Sequence, residues 1–206
     1  MTASDRQQAT AAILTASFLK NARNIDLPFS EIVLSELQAG DFVKLNGVIF
    51  TGRDQTHRLL CDLLDQGLEL PVNLAGQLLY YVGPSPAKPG QVIGAAGPTT
   101  SYRMDAYTPK LLKQGLKATM GKGGRSQEVR KAMHDAGAVY LATFGGAGAL
   151  LSKCIQTSEV VAFEDAGPEA LYRLKVKDFP AVVINDLQGR DYYEIIKKEG
   201  GKFSAL

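Results

Sequence analysis

Glycine-rich turns that recur between a β-prone run and a helical one set the strongest limit on how this chain can fold. Gln91 to Ala95 leads into Gly94-Ala95-Ala96-Gly97-Pro98-Thr99-Thr100, Leu116 to Met120 leads into turn 121–124 and the helical pattern Ser126 to Ala136, and Ala138 to Ala142 leads into Gly145 to Gly148. Strand, turn and helix in that order predict α/β layering. Later β-like runs at Val160 to Phe163, Leu171 to Val176 and Ala181 to Ile184, closed by a turn at Asp186 to Gly189, predict a mixed sheet layered with helices.

Upstream, Leu59, Leu60, Leu63 and Leu64 recur at helical spacing before Gly67, with Asp54 as a candidate cap. A second helix is expected near Tyr107 to Gln114, stopped by Gly115, and Gln77 to Val82 reads as a strand. Ile32 to Leu34 also reads as a short strand, while Phe42 to Leu45 and Val48 to Thr51 flank Asn46-Gly47, a dipeptide that favours a tight hairpin. Residues 1–30, with a helical candidate at Ala11 to Lys20, are expected to form an arm ahead of a single domain over residues 31–206.

An apolar content of 45% is enough for a sizeable core, and a formal charge of +2 gives little long-range pull on nucleic acid or an anionic membrane. Any anion site must therefore be local. Cys61 and Cys154 stand far apart in apolar surroundings, which suits buried thiols better than a zinc knuckle or a disulfide. No run approaches the ~20 apolar residues that span a bilayer, and the start lacks a signal-peptide pattern, so a cytoplasmic protein is expected.

Three segments could carry chemistry. Gly97 to Asp105 sets two hydroxyls, Thr99 and Thr100, beside Arg103 in small-residue surroundings, the makings of a carboxylate or phosphate cradle; the plainer reading has a threonine cap the next helix. Gly121-Lys122-Gly123-Gly124-Arg125-Ser126 places two cations where a helix begins and where free N–H groups favour an anion. It is not a nucleotide loop, because Leu116 and Gly123 stand where that pattern needs glycine and a hydroxyl residue. In Thr51 to His57, Arg53 either clamps a ligand or pairs with Asp54 or another nearby acid. Neither His57 nor His134 has neighbours at metal-ligand spacing, and the basic residues Arg125, Arg130 and Lys131 lack the aromatic platform of a nucleic-acid module.

Taken together, Gly52-Arg53-Asp54 with His57, Gly97-Pro98-Thr99-Thr100 with Arg103-Met104-Asp105, and Lys122-Gly123-Gly124-Arg125-Ser126 resemble the β region of class I, iron-sulfur fumarases and L-tartrate dehydratases. Gly145-Gly146 with Ala149, and Val176 to Ala181 followed by Asp186 and Gly189, extend the likeness over roughly Leu37 to Tyr193. The sequence departs from the family pattern at Ser101-Tyr102, at Gly124, and in the spacing between the Arg103 and Lys122 motifs.

The resemblance implies a swivelling β/β/α domain that works as the β subunit of a hydro-lyase, hydrating fumarate to L-malate or dehydrating L-tartrate. It implies a [4Fe-4S] cluster acting as Lewis acid, and a cluster-bearing α subunit that ligates it in a heterodimer or a dimer of heterodimers. This chain's two cysteines form no cluster-type array. By the same likeness Arg53, Arg103 and Lys122 grip the C4 dicarboxylate, Thr99 takes part in acid–base chemistry, Thr100 hydrogen bonds, and Arg125 is a supporting positive group. Outside the enzyme class, the same cations would serve a binding protein for small dicarboxylates.

Overall fold

The computed structural model describes residues 22–199. The helical candidate Ala11 to Lys20 lies outside them. In chain order the main elements are β1 (Arg23–Asp26), α1 (Glu31–Glu36), β2 (Phe42–Thr51), α2 (Asp54–Asp65), β3 (Leu78–Tyr80), α3 (Thr108–Leu112), β4 (Ala118–Gly121), α4 (Gln127–Asp135), β5 (Val139–Ala142), α5 (Gly148–Leu151), β6 (Ile155–Ala162), β7 (Leu171–Asn185) and α6 (Tyr192–Lys198). Short 3-10 turns occupy Ser101–Met104, Ser152–Cys154 and Glu164–Glu169.

The seven strands form one mixed sheet, as expected for the α/β class. Strands β2, β3, β4 and β5 run parallel in that order, β7 pairs antiparallel with β5, and β7 also pairs antiparallel with β2. The pairing therefore closes on itself, with β1 and β6 added at the outside. Side chains that alternate along a strand point to opposite faces, so the curled sheet has an inside and an outside. Leu78 and Tyr80 join Val43, Leu45, Met120, Leu141 and Phe179 in one buried cluster. Leu79 and Tyr81 join Leu60, Leu111, Val129 and Met133 from the helices in another. Sheet against sheet and sheet against helix are thus the two packed layers.

Several sequence expectations change here. Asn46-Gly47 is not a hairpin: β2 runs straight through it, and the register against β7 slips between Leu45 and Gly47. With partner strands available on both sides, the dipeptide serves as a bulge instead, Gly47 taking φ +118° and Asn46 Oδ1 accepting from the Asp178 amide. Ile32 to Leu34 is helical because Ser30 accepts from the Val33 amide and Glu31 favours the first turn, while Leu34 turns into the core. Gln91 to Ala95 is loop, tied by Ala95 N–H donating to Ser85 Oγ. Arg53, rather than Asp54, is the residue just ahead of α2. Leu171 to Val176 and Ala181 to Ile184 merge into the single strand β7, with Asp178 at φ +50° between them. Residues 23–29, expected in an arm, add β1 to the sheet and bury Ile25 and Phe29.

Candidate carboxylate-binding site

The parallel strands β2, β3 and β4 finish side by side, and the predicted site residues gather at those carboxyl ends. Beyond Tyr80 and Met120 the strands part and residues 98–101 wedge between them. Thr99 N–H donates to Tyr81 O at 2.7 Å, Lys122 N–H donates to Thr99 O at 3.2 Å, and Ser101 N–H donates to Lys122 O at 2.9 Å. The turn at Thr99-Thr100 and the turn at Lys122 are therefore one backbone unit. Glycine is required at position 121, because a Cβ there would collide with Ser101 Oγ and lie 3.0 Å from Thr99 O. Beneath the wedge, the Tyr140 hydroxyl donates its one proton at 2.7 Å to Gly123 O and accepts at 2.8 Å from Ser101 Oγ.

The third turn joins through ion pairs. Arg103, on the 3-10 turn after the threonines, sets Nε and Nη2 against the two carboxylate oxygens of Asp54, at 3.0 and 2.7 Å. Arg53 Nη2 lies 3.9 Å from the same Asp54 and 3.5 Å from Glu169. Arg53 also runs across Gly83, where an added Cβ would stand 2.8 Å from its side chain. The sequence left Arg53 between clamp and ion pair, and the ion pair is present. Thr99 is half-buried, Thr100 exposed and Lys122 half-buried. Among the described residues the hydroxyls of Thr99 and Thr100 have no hydrogen-bond partner and the Lys122 ammonium has no ion pair.

Arg125, expected among the substrate-binding residues as a supporting positive group, lies beneath the rim. Its side chain is fully buried, with Nε on Asp105 at 2.7 Å, Nη1 on Thr119 at 2.9 Å and Tyr81 at 3.2 Å, and Nη2 on Thr108 at 2.7 Å. Its guanidinium carbon also lies 5.3 and 5.2 Å from the Tyr81 and Tyr140 ring centres, within cation–π range. Burial disfavours its charge, yet Tyr81, Asp105 and Tyr140 outweigh that and push its pKa up. The anion expected at the start of α4 is the protein's own Asp105, which accepts from the Ser126 amide at 2.7 Å. Arg125 thus supports the rim from below by fixing the turns that carry it.

His57 packs under Arg53, its Nδ1–H donating at 2.7 Å to the Arg53 carbonyl and its ring meeting the Tyr81 ring edge-on at 5.1 Å. Facing a carbonyl, its Nδ1 must carry the proton, which leaves Nε2 bare and buried without a partner among the described residues. Burial holds its pKa down to about 4, so the ring is neutral near pH 7.

Sequence reasoning did not single out Asp105, Glu169 or Tyr140. Asp105 sat inside a recognised motif, but nothing in its spacing said that its carboxylate reaches 21 residues onward. Two hollows of about 450 and 410 Å3 lie elsewhere, lined by Val48, Phe50 and Arg173 and by Leu64, Leu70 and Gln114 respectively.

Fold and site together define an α/β domain whose parallel strands end in a rim of arginine, lysine and threonine side chains. The chain belongs to the family described as Fumarase C-terminus, whose model matches residues 2–196 and so begins well before Leu37. It is 41% identical over 84% of its length to a Geobacillus stearothermophilus protein provisionally named a class I fumarate hydratase, and covers 34% of that protein. It is 38% identical over 85% of its length to the anaerobic class I fumarate hydratase of Escherichia coli K12, covering 33% of it. A Methanocaldococcus jannaschii protein provisionally named L(+)-tartrate dehydratase subunit beta is 37% identical, with 81% of this chain matched to 88% of that one. The chain thus spans about a third of the fumarate hydratases it matches and nearly all of the tartrate dehydratase subunit.

Proposed function

We propose that the chain is the β subunit of a hydro-lyase that reversibly hydrates fumarate to L-malate, its rim completing a site shared with a cluster-bearing α subunit. The observation that carries this reading is the state of the rim: a Thr99 hydroxyl and a Lys122 ammonium without partners among the described residues, on one backbone unit with an Arg103 that meets Arg53 at Asp54. A C4 dicarboxylate leaving water needs compensating charge at both ends, and a guanidinium offers a fork that fixes the plane of a carboxylate. Lys122 supplies a compact charge for the other end, and Thr100 a hydrogen bond.

Hydration adds hydroxide to one alkene carbon and a proton to its neighbour. Thr99 is the candidate to carry that proton, but a threonine hydroxyl is far too weak an acid or base unaided. No acid among the described residues bonds to it, so the activating group is assigned to the α subunit.

A [4Fe-4S] cluster would act as Lewis acid toward the substrate's hydroxyl and carboxylate. This chain's donors do not fit one: the Cys61 thiol is buried against Tyr107 O, Cys154 lies against Asp178 O, and burial pushes both thiols up, away from the thiolate form. No group of three or more metal-binding side chains occurs among the described residues. The cluster's ligands therefore fall to the partner in this reading. None of the described helices is long and apolar enough to cross a membrane.

L-tartrate is the second reading, favoured by the near full-length match to the M. jannaschii subunit. Anaerobic co-expression with an α-type subunit, followed by hydration and dehydration assays on fumarate, malate and tartrate, tests both. Fumarate and malate should interconvert. Turnover of tartrate alone would move the assignment to the second reading, and a cluster-loaded complex inert toward all three acids would end it.

A further inference from the structure

We infer that Asp54 is a positioning residue for the dicarboxylate: it holds the side edge of the Arg103 guanidinium so that the outer edge stays open to a ligand carboxylate. This rests on the hydro-lyase reading above and adds a residue to that site. A guanidinium presents five N–H donors along two edges, and each edge can grip a carboxylate with two parallel bonds. Asp54 takes Nε at 3.0 Å and Nη2 at 2.7 Å, which is the side edge. Nη1 has no partner among the described residues, so the edge formed by Nη1 and the remaining Nη2 proton is unused.

The carboxylate that does this is anchored better than the arginine it holds. Asp54 is the first residue of α2, and the next two residues are tied to Glu169, Gln55 N–H donating to its carboxylate at 2.8 Å and Thr56 Oγ1 donating to its carbonyl. Arg103 sits on a short 3-10 turn with half of its side chain exposed, at 50%. Freed from Asp54, such a side chain samples many rotamers, and a ligand must then bear the cost of ordering it. The same Asp54 oxygen lies 3.9 Å from Arg53 Nη2, whose nearer acid is Glu169 at 3.5 Å.

Charge sharpens the test. Arg53 and Arg103 are matched by Asp54 and Glu169, which makes this quartet neutral, and among the described residues the uncompensated positive charge of the rim is that of Lys122. Recognition at Arg103 is then a matter of aimed hydrogen bonds. If Asp54 only offset charge, removing its charge would draw a dianion in more strongly and lower KM. If it positions, removal raises KM.

The experiment is Asp54→Asn in the assembled α–β enzyme, with wild type and Asp54→Glu beside it, read as KM and kcat for the C4 acid. In parallel, the full-length chain is examined by NMR at its arginine Nε–H groups. In wild type, Arg103 should give a slowly exchanging Nε–H signal that Asp54→Asn abolishes. KM should rise about tenfold with kcat changed less than about threefold, as expected when a charge-assisted contact shared by ground and transition states is lost. Asp54→Glu should recover part of the affinity. An unchanged or lowered KM in Asp54→Asn, or an unprotected Arg103 signal in wild type, overturns the inference while wild-type turnover keeps the hydro-lyase reading intact. A wild-type complex inert toward every C4 acid overturns that reading, and this inference with it.

Discussion

Lys122 and Arg125 stand three residues apart on one glycine-rich turn, and they have opposite fates. The guanidinium is sealed under the rim and bonded to Asp105, Thr108, Thr119 and Tyr81, whereas the ammonium is half-buried and unpaired among the described residues. A cation beside a helix start is thus no sign of a ligand by itself. What separates the two is whether the protein supplies the anion, and at Arg125 it does so through Asp105.

The sharpest way to break this comparison is Arg125→Met. Leaving Asp105 and three hydroxyls buried without their partner should cost about 3–5 kcal/mol in urea unfolding of the full chain. Lys122→Met should move stability by no more than about 0.5 kcal/mol. Equal losses from the two substitutions would erase the distinction.

His57 extends the contrast to the turn that carries Arg53. Its folded pKa of about 4 lies below the ordinary 6.5, so between those values the unfolded chain takes up a proton that the native ring refuses. Stability is then level above pH 6.5 and falls as pH drops toward 4, by about 3 kcal/mol from this group. Comparing unfolding free energies of wild type and His57→Gln from pH 7 to pH 4 isolates the effect. The variant should lose less on acidification, and parallel curves would show that the ring titrates normally.

On the functional side, Lys122→Met in the assembled enzyme should lower kcat/KM by about ten- to a hundredfold, the worth of about 1.5–3 kcal/mol for a bond to a charged group. The smallest effect belongs to Tyr140→Phe. It removes the hydroxyl that ties Ser101 to Gly123 and should cost about 1 kcal/mol in stability. KM should rise modestly through a looser Thr99–Lys122 unit, and an unaltered KM would show that the backbone bonds suffice.

These contrasts mark where the sequence was legible. Leucine spacing placed α2, and the helical pattern Ser126 to Ala136 enclosed α4, because local periodicity decides those elements. Asn46-Gly47 misled because hairpin or bulge depends on which strands lie alongside, and those strands, β1 and β7, come from well before and far beyond it in the chain. For the site, motif order foretold that the turns bearing Arg53, Thr99, Arg103 and Lys122 belong together. It could not foretell that Arg125 faces inward, since its partners Asp105, Thr108, Thr119 and Tyr81 converge only through the curl of the sheet.

A crystal structure of the assembled complex holding a C4 dicarboxylate is the most direct measurement of the central claim. The account predicts one ligand carboxylate on the open edge of Arg103 and the other within about 2.7–3.2 Å of the Lys122 ammonium. A dicarboxylate seated elsewhere, with Lys122 facing solvent and both edges of Arg103 untouched by ligand, would contradict it.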